Sequence, residues 1–260
     1  MRITIIGFGT VGQAFARILF EKEREMLKFY GIRPLLVAVV DSQGAAIDPA
    51  GLNVEELLKL KKGGKSVGDH STFGRHGLSG IDVLDEVDTD VVVEVTPTKI
   101  SNGEPGFSHI KMALRMKRHV ITANKGPLAI ALPALMELAE YNNVAFRFSG
   151  TVGGGTPILD LGKKCLLGDR ILSIRGVLNG TSNYILTRMT EGNIPMETAL
   201  KEAQLAGYAE ADPTYDVKGI DTACKLVIIA NWLMGRHITL RDVEIEGIID
   251  VTPSEIALAK

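Results

Sequence analysis

Residues 2–6 form a short run rich in isoleucine that breaks at once into Gly7-Phe8-Gly9-Thr10-Val11-Gly12. A helical pattern follows, with Val11, Ala14, Phe15, Ile18 and Leu19 expected on one face. Strand, glycine turn, helix is the context that gives a GxGxxG string its meaning as a dinucleotide site. The first glycine permits a tight turn, the second lets backbone approach a pyrophosphate, and the third lets the helix pack against the strand. Amides at the helix N-terminus supply the anion site. The competing reading is a glycine turn kept only for packing.

The chain after this unit continues the same grammar. Buried-strand runs are expected at 35–40, 90–96, 119–122 and 144–148, with helices at 107–116 and 132–141 between the later ones. Strands separated by helices predict an α/β fold with a Rossmann-type parallel sheet and right-handed crossovers. Residues 42–80 read as a variable connection carrying one helix at 54–60. Asp41 closes the second strand, where a carboxylate can accept from both adenosine ribose hydroxyls and would repel a 2'-phosphate. NAD is therefore expected over NADP, although Lys59, Lys61, Lys62 or Lys65 could neutralise that phosphate.

At Gly150-Thr151-Val152-Gly153-Gly154-Gly155-Thr156-Pro157 the texture changes, which places a domain boundary between 1–149 and 150–260. The second part is expected to be an α+β domain, with helices at 158–167, 182–190 and 195–206, a strand at 171–178 and a further helix from Gly219. That last helix is apolar nearly all round yet carries Asp221 and Lys225 one turn apart. An ionised side chain in such surroundings needs a partner or a task. Glu210, Asp212 and Asp216 lie just upstream. An amine among carboxylates, half out of water, suits binding a small amino acid and moving a proton; an intrahelical ion pair that satisfies only itself is the alternative.

Composition narrows the class. A net charge of -2 with 23% charged residues offers no basic stripe for nucleic acid. The longest apolar run, 226–234, is interrupted by Asn231 and too short to span a bilayer. A secretory signal is not expected before the first strand. The two cysteines, Cys165 and Cys224, have no CxxC or metal-type spacing and read as core thiols of a cytoplasmic protein. None of the five histidines pairs at metal-ligand spacing, and His109 and His119 are expected at solvated helix ends or turns. Thr252-Pro253-Ser254-Glu255 is a capping box that opens a helix only a few residues from Lys260, so a further C-terminal segment or a packing partner is expected.

Beyond the glycine turn, the motifs Asn124-Lys125-Gly126-Pro127-Leu128-Ala129, Leu178-Asn179-Gly180-Thr181-Ser182-Asn183-Tyr184 and Gly207-Tyr208-Ala209-Glu210-Ala211-Asp212-Pro213 through Lys225 make the whole chain resemble the homoserine dehydrogenase family. The resemblance implies a homodimer that reversibly reduces L-aspartate 4-semialdehyde to L-homoserine with NAD(P)H, in threonine, methionine and isoleucine biosynthesis. It implies Lys225 as proton donor with Asp221 one turn earlier, and Lys125 beside cofactor and substrate. Thr96 and Pro97 match the loop bordering the nicotinamide. Glu210 and Asp216 match carboxylates that recognise the substrate, and Gly180 and Thr181 start the helix expected to meet its carboxylate. A monovalent cation, Na or K, held by carbonyls of Val152 and Gly154 is also implied, although Ser149 stands where some members carry an acid. Gly126 departs from the family's common alanine, and the family's return segment to the nucleotide domain is expected beyond Lys260. The rival from another class is a non-catalytic NAD-binding sensor or inactive dimer partner. An aldehyde dehydrogenase would need a nucleophilic cysteine in the cleft.

Overall fold

The computed structural model describes residues 1–259. The chain divides into two compact units, Met1–Thr151 and a second from Val152 onward. In the first, β1 (Arg2–Ile6), α1 (Thr10–Glu21), α2 (Glu23–Tyr30), β2 (Leu35–Val40), β3 (Gly44–Ile47) and α3 (Val54–Lys62) are followed by β4 (Gly74–His76) and α4 (Gly80–Glu86). Then come β5 (Val91–Glu94), α5 (Gly106–Arg115), β6 (His119–Thr122), α6 (Lys125–Tyr141) and β7 (Phe146–Arg147). Seven strands form one sheet in the order β4-β3-β2-β1-β5-β6-β7.

Strands β2, β1, β5, β6 and β7 run parallel, as the alternation of elements predicts. Their residues are apolar without alternation because both faces are covered: Ile3, Ile5, Val39 and Val93 are all buried in one cluster. The register sets Ile6 beside both Val40 and Glu94, and Glu94 beside Thr122, so the C-terminal strand ends form one row. That edge is where open parallel sheets bind ligands.

Four expectations about this unit are corrected. Residues 42–80 are no plain connection: β3 and β4 extend the sheet antiparallel beyond β2. Their short Gly- and Ala-rich strands carry little of the β-branched signal that marks the others. Helix α1 buries Gly12 and Ala16, with Phe15 and Leu19 against the same cluster, while Val11 and Ile18 are exposed. The helix turns its glycine to the sheet because only a missing side chain allows that approach. His109 is buried within α5 and is not solvated. Helix α6 also starts earlier than its apolar pattern suggests and breaks at Ala131 (φ -148°, ψ 30°), two residues before Pro133, whose ring cannot continue a preceding helical turn.

The second unit is helical through its ordered elements. α7 (Ile158–Asp160) widens into a π-type turn at Leu161–Cys165 and is followed by α8 (Gly180–Gly192), α9 (Met196–Leu205), α10 (Thr214–Val217), α11 (Ile220–Leu233) and α12 (Pro253–Leu258). Ile185 and Met189 of α8 pack with Met196, Ala199 and Ala203 of α9 and Val217 of α10. The capping box at Thr252 forms, with Glu255 N–H donating to Thr252 Oγ1 and Thr252 N–H to Glu255 Oε2. Helix α12 then leans Ile256 on the α8–α9 cluster. The strand expected at 171–178 is not made: the segment finds no ladder partner among the described residues, and Leu172 and Val177 are exposed. Cys165 is exposed, contrary to the core reading, because the wide turn rotates it outward; Cys224 is fully buried. Among the described residues no helix is long and apolar enough to cross a membrane.

Candidate functional site

The glycine turn joins β1 to α1 at the C-terminal edge of the sheet. Gly7 has φ +102°, and a Cβ there would lie 2.6 Å from the Val95 carbonyl. A Cβ on Gly12 would sit 2.2 Å from Gly7 O, so the third glycine is what lets α1 close on the turn. Above Gly9 no protein atom lies within 4 Å of a built Cβ. Gly9 precedes α1 without a side-chain cap, and Gly9, Thr10 and Val11 are exposed. An open, uncapped helix start behind a glycine is what a pyrophosphate needs, so the turn fits a dinucleotide. Phe8 belongs to this turn only through its backbone, since its ring is in the core.

Asp41, at the end of β2, is surrounded by protein donors. Lys61 Nζ donates to Oδ2 at 2.8 Å and Val67 N–H to the same oxygen at 2.9 Å, while Ser66 Oγ (2.7 Å) and Gln43 N–H (3.0 Å) serve Oδ1. Burial pushes the carboxyl up, but these bonds, led by Lys61, outweigh it and hold Asp41 below the usual aspartate range. All four acceptor directions are thus taken, which the sequence did not disclose. Beside it, Gln13, Arg17, Leu58, Lys59, Lys61 and Lys62 line an open cleft.

Two neighbouring loops complete the sheet edge. Thr96 N–H donates to Glu94 Oε1 at 3.1 Å, and Pro97 is exposed just beyond. Lys125 is the first residue of α6, whose cap is Asn124: its Oδ1 accepts from Gly126 N–H at 3.2 Å.

In the second unit, Lys225 Nζ pairs with Asp221 Oδ2 at 2.6 Å and donates to the Leu178 carbonyl at 2.6 Å. Both side chains are largely buried. Asn179, which carries no charge to mark it within its own motif, ties the cluster together. Its Nδ2 donates to Asp221 Oδ2 at 2.9 Å and to Asp216 Oδ1 at 2.5 Å. Its Oδ1 caps α8 by accepting from Ser182 N–H at 2.7 Å. Thr181 Oγ1 donates to Tyr208 O, which pins α8 to the loop before Glu210. Thus Lys225, Asp221, Asp216 and the Gly180-Thr181 helix start are brought together. Glu210 is exposed, and Asp212 is occupied in receiving Thr214 N–H and Oγ1.

The turn at 152–156 places Gly153 (φ +83°) and Gly154 (φ +53°) in left-handed backbone after buried Val152, so carbonyl oxygens are its donors. No group of three or more His, Cys, Asp or Glu that could hold a metal occurs among the described residues.

Two family models cover nearly the whole chain: "Homoserine dehydrogenase, NAD binding domain" matches residues 7–149, and "Homoserine dehydrogenase" matches residues 157–260. The homoserine dehydrogenase of Methanocaldococcus jannaschii is 47% identical over 259 residues, covering 100% of this chain and 76% of the relative. The chain belongs to the homoserine dehydrogenase family. An NAD(+)-dependent homoserine dehydrogenase of Pseudomonas canavaninivorans is 36% identical, over 100% of this chain and 73% of its own length. A hyperthermophilic archaeal homoserine dehydrogenase mutant in complex with NADPH superposes with a TM-score of 0.85 at 30% identity, covering 98% of this chain and 75% of that one. Homoserine dehydrogenase membership makes the protein an NAD(P)-dependent oxidoreductase acting on a CH–OH group.

Proposed function

We propose that this homoserine dehydrogenase interconverts L-aspartate 4-semialdehyde and L-homoserine with Lys225 as its proton donor. The observation that carries the assignment is the Lys225 ammonium, held by Asp221 and the Leu178 carbonyl in mostly buried surroundings. An ammonium has three N–H donors, and these contacts engage two. The third serves the carbonyl oxygen of the substrate, first as a hydrogen bond and then as the proton for the developing alkoxide. Asp221 orients the amine. The dinucleotide, when bound, supplies the hydride.

Substrate recognition falls to the same cluster. Glu210 and the free oxygen of Asp216 receive the substrate ammonium, while the amides of Gly180 and Thr181 receive its carboxylate at the start of α8. Gly7, Phe8, Gly9, Thr10, Val11 and Gly12 hold the pyrophosphate through backbone, Thr96 and Pro97 border the nicotinamide, and Lys125 adds positive potential at that end. Carbonyls of Val152 and Gly154 hold a monovalent cation, in keeping with the preference of hard cations for oxygen.

NAD is the preferred cofactor. Asp41 stays ionised, and ribose hydroxyls can replace the Lys61 ammonium on it, whereas a 2'-phosphate meets its charge. Arg17, Lys59 and Lys62 soften that repulsion, so discrimination is modest. We expect kcat/KM for NADH to exceed that for NADPH by no more than about tenfold, and Asp41→Asn to erase the preference.

The protein acts as a cytoplasmic homodimer. Its exposed apolar segment at 171–178 has open backbone edges, which a second copy covers by strand pairing. The direct test of function is NADH oxidation on adding L-aspartate 4-semialdehyde. Turnover supports the reading; NADH binding without turnover contradicts it.

A further inference from the structure

Glu94 is an acid in an otherwise apolar strand, Val91–Glu94, and its side chain is wholly buried. Such a group costs folding free energy unless it is fully hydrogen-bonded. Its partners form a closed ring across the ends of β5 and β6. Thr96 donates to Oε1 from both N–H and Oγ1. Thr122 Oγ1 donates to Oε2 at 3.2 Å and to the Glu94 carbonyl at 2.8 Å. Asn124 N–H donates to Thr122 Oγ1 at 3.0 Å, and Asn124 Nδ2 returns to Thr96 Oγ1 at 3.3 Å. Helix α5 backs against this ring at Gly106, where a Cβ would lie 2.5 Å from Asn124 Nδ2 and 3.0 Å from Glu94 Oε2. His109 Nδ1, buried and without a hydrogen-bond partner, faces Glu94 Oε1 at 3.8 Å.

We infer that Glu94 is a positioning residue for the cofactor: its buried carboxylate fixes the Thr96–Pro97 loop and, through Thr122, the Asn124 cap that aims Lys125. It touches neither cofactor nor substrate. The ring joins two loops that lie on neighbouring strand ends and meet again where Gly126 faces the Lys99 carbonyl and Gly103 faces Pro127. The inference rests on the proposed placement of Thr96 and Pro97 beside the nicotinamide.

The test compares binding of NADH with that of ADP-ribose, which has the pyrophosphate and the adenosine but no nicotinamide, in Glu94→Met, Glu94→Gln and Thr122→Val, with Thr96→Val as the probe of the loop. Glu94→Gln keeps an acceptor towards Thr96 and reverses the bond to Thr122, whose hydroxyl can accept from the new amide while still donating to the backbone carbonyl of residue 94, and it is expected to stay near wild type. Glu94→Met and Thr122→Val are expected to weaken NADH about tenfold and to leave ADP-ribose within about twofold. Should Glu94→Met fail to fold, Thr122→Val reads the same ring with a smaller change. Equal loss of both ligands, or unchanged NADH affinity in the folded variants, overturns the inference. If Thr96→Val weakens NADH while the ring variants do not, only the positioning role falls. If Thr96→Val itself leaves NADH binding unchanged, the loop does not border the nicotinamide, and both readings fall.

Discussion

Lys225 and Asn179 show how a few side chains build a buried polar cluster on an apolar helix. Asp221 and Lys225 announce themselves in the sequence because a charge inside an apolar helix demands a reason. Asn179 does not, since asparagine before Gly-Thr-Ser looks only like a helix cap. It is a cap, and its amide also bonds Asp216 and Asp221. Asn179→Ala strips donors from two carboxylates and should destabilise the fold by about 1–3 kcal/mol in chemical denaturation, with a fall in kcat/KM. Glu94 was legible in principle, as a lone acid in Val-Val-Val-Glu-Val, but its ring of partners depends on strand register. Asp41 carries a pH signature. Its folded carboxyl lies below the ordinary range, so its stabilising contribution is complete above the unfolded value, about pH 4, and is lost as pH falls through the folded one. Thermal melts of wild type and Asp41→Asn taken down to acid pH should converge there, with the variant's curve the flatter.

At the scale of elements, the glycine turn separates folding from binding. A Cβ on Gly12 collides with the Gly7 carbonyl. Gly12→Ala should therefore lower stability by about 1–3 kcal/mol, because α1 must move off β1. Gly9 faces open space at φ -83°. Gly9→Ala should melt like wild type while its KM for NADH rises, if the proposed pyrophosphate site is right and the new methyl blocks its approach. The strands whose both faces are covered were readable as continuous apolar runs. Strands β3 and β4 were not, because antiparallel additions at a sheet edge need little hydrophobic signal. The buried face of α1 departs from its apolar pattern for a related reason: hydrophobic periodicity points to Val11 and Ile18, but close packing selects the glycine.

At the scale of the molecule, the change of texture at Gly150 lies beside the division into units at Thr151 and Val152. Whole-chain motifs carried more functional information than composition, because Lys225, Asp221 and Asp216 gather from sequence-close helices α10 and α11, with Asn179 added from α8. The segment at 171–178 has strand-like residues without a ladder partner among the described residues, which sequence alone cannot reveal. Sedimentation should therefore give twice the 28.0 kDa chain mass, and charged replacements at Leu172 and Val177 should shift it towards monomer. The most direct measurement of the central claim is turnover of Lys225→Ala with NADH and L-aspartate 4-semialdehyde, alongside its NADH dissociation constant. A positioned proton donor is worth about a hundred to ten thousand-fold in rate, so kcat should fall by that factor with NADH binding unchanged. A variant that turned over at the wild-type rate would contradict the account.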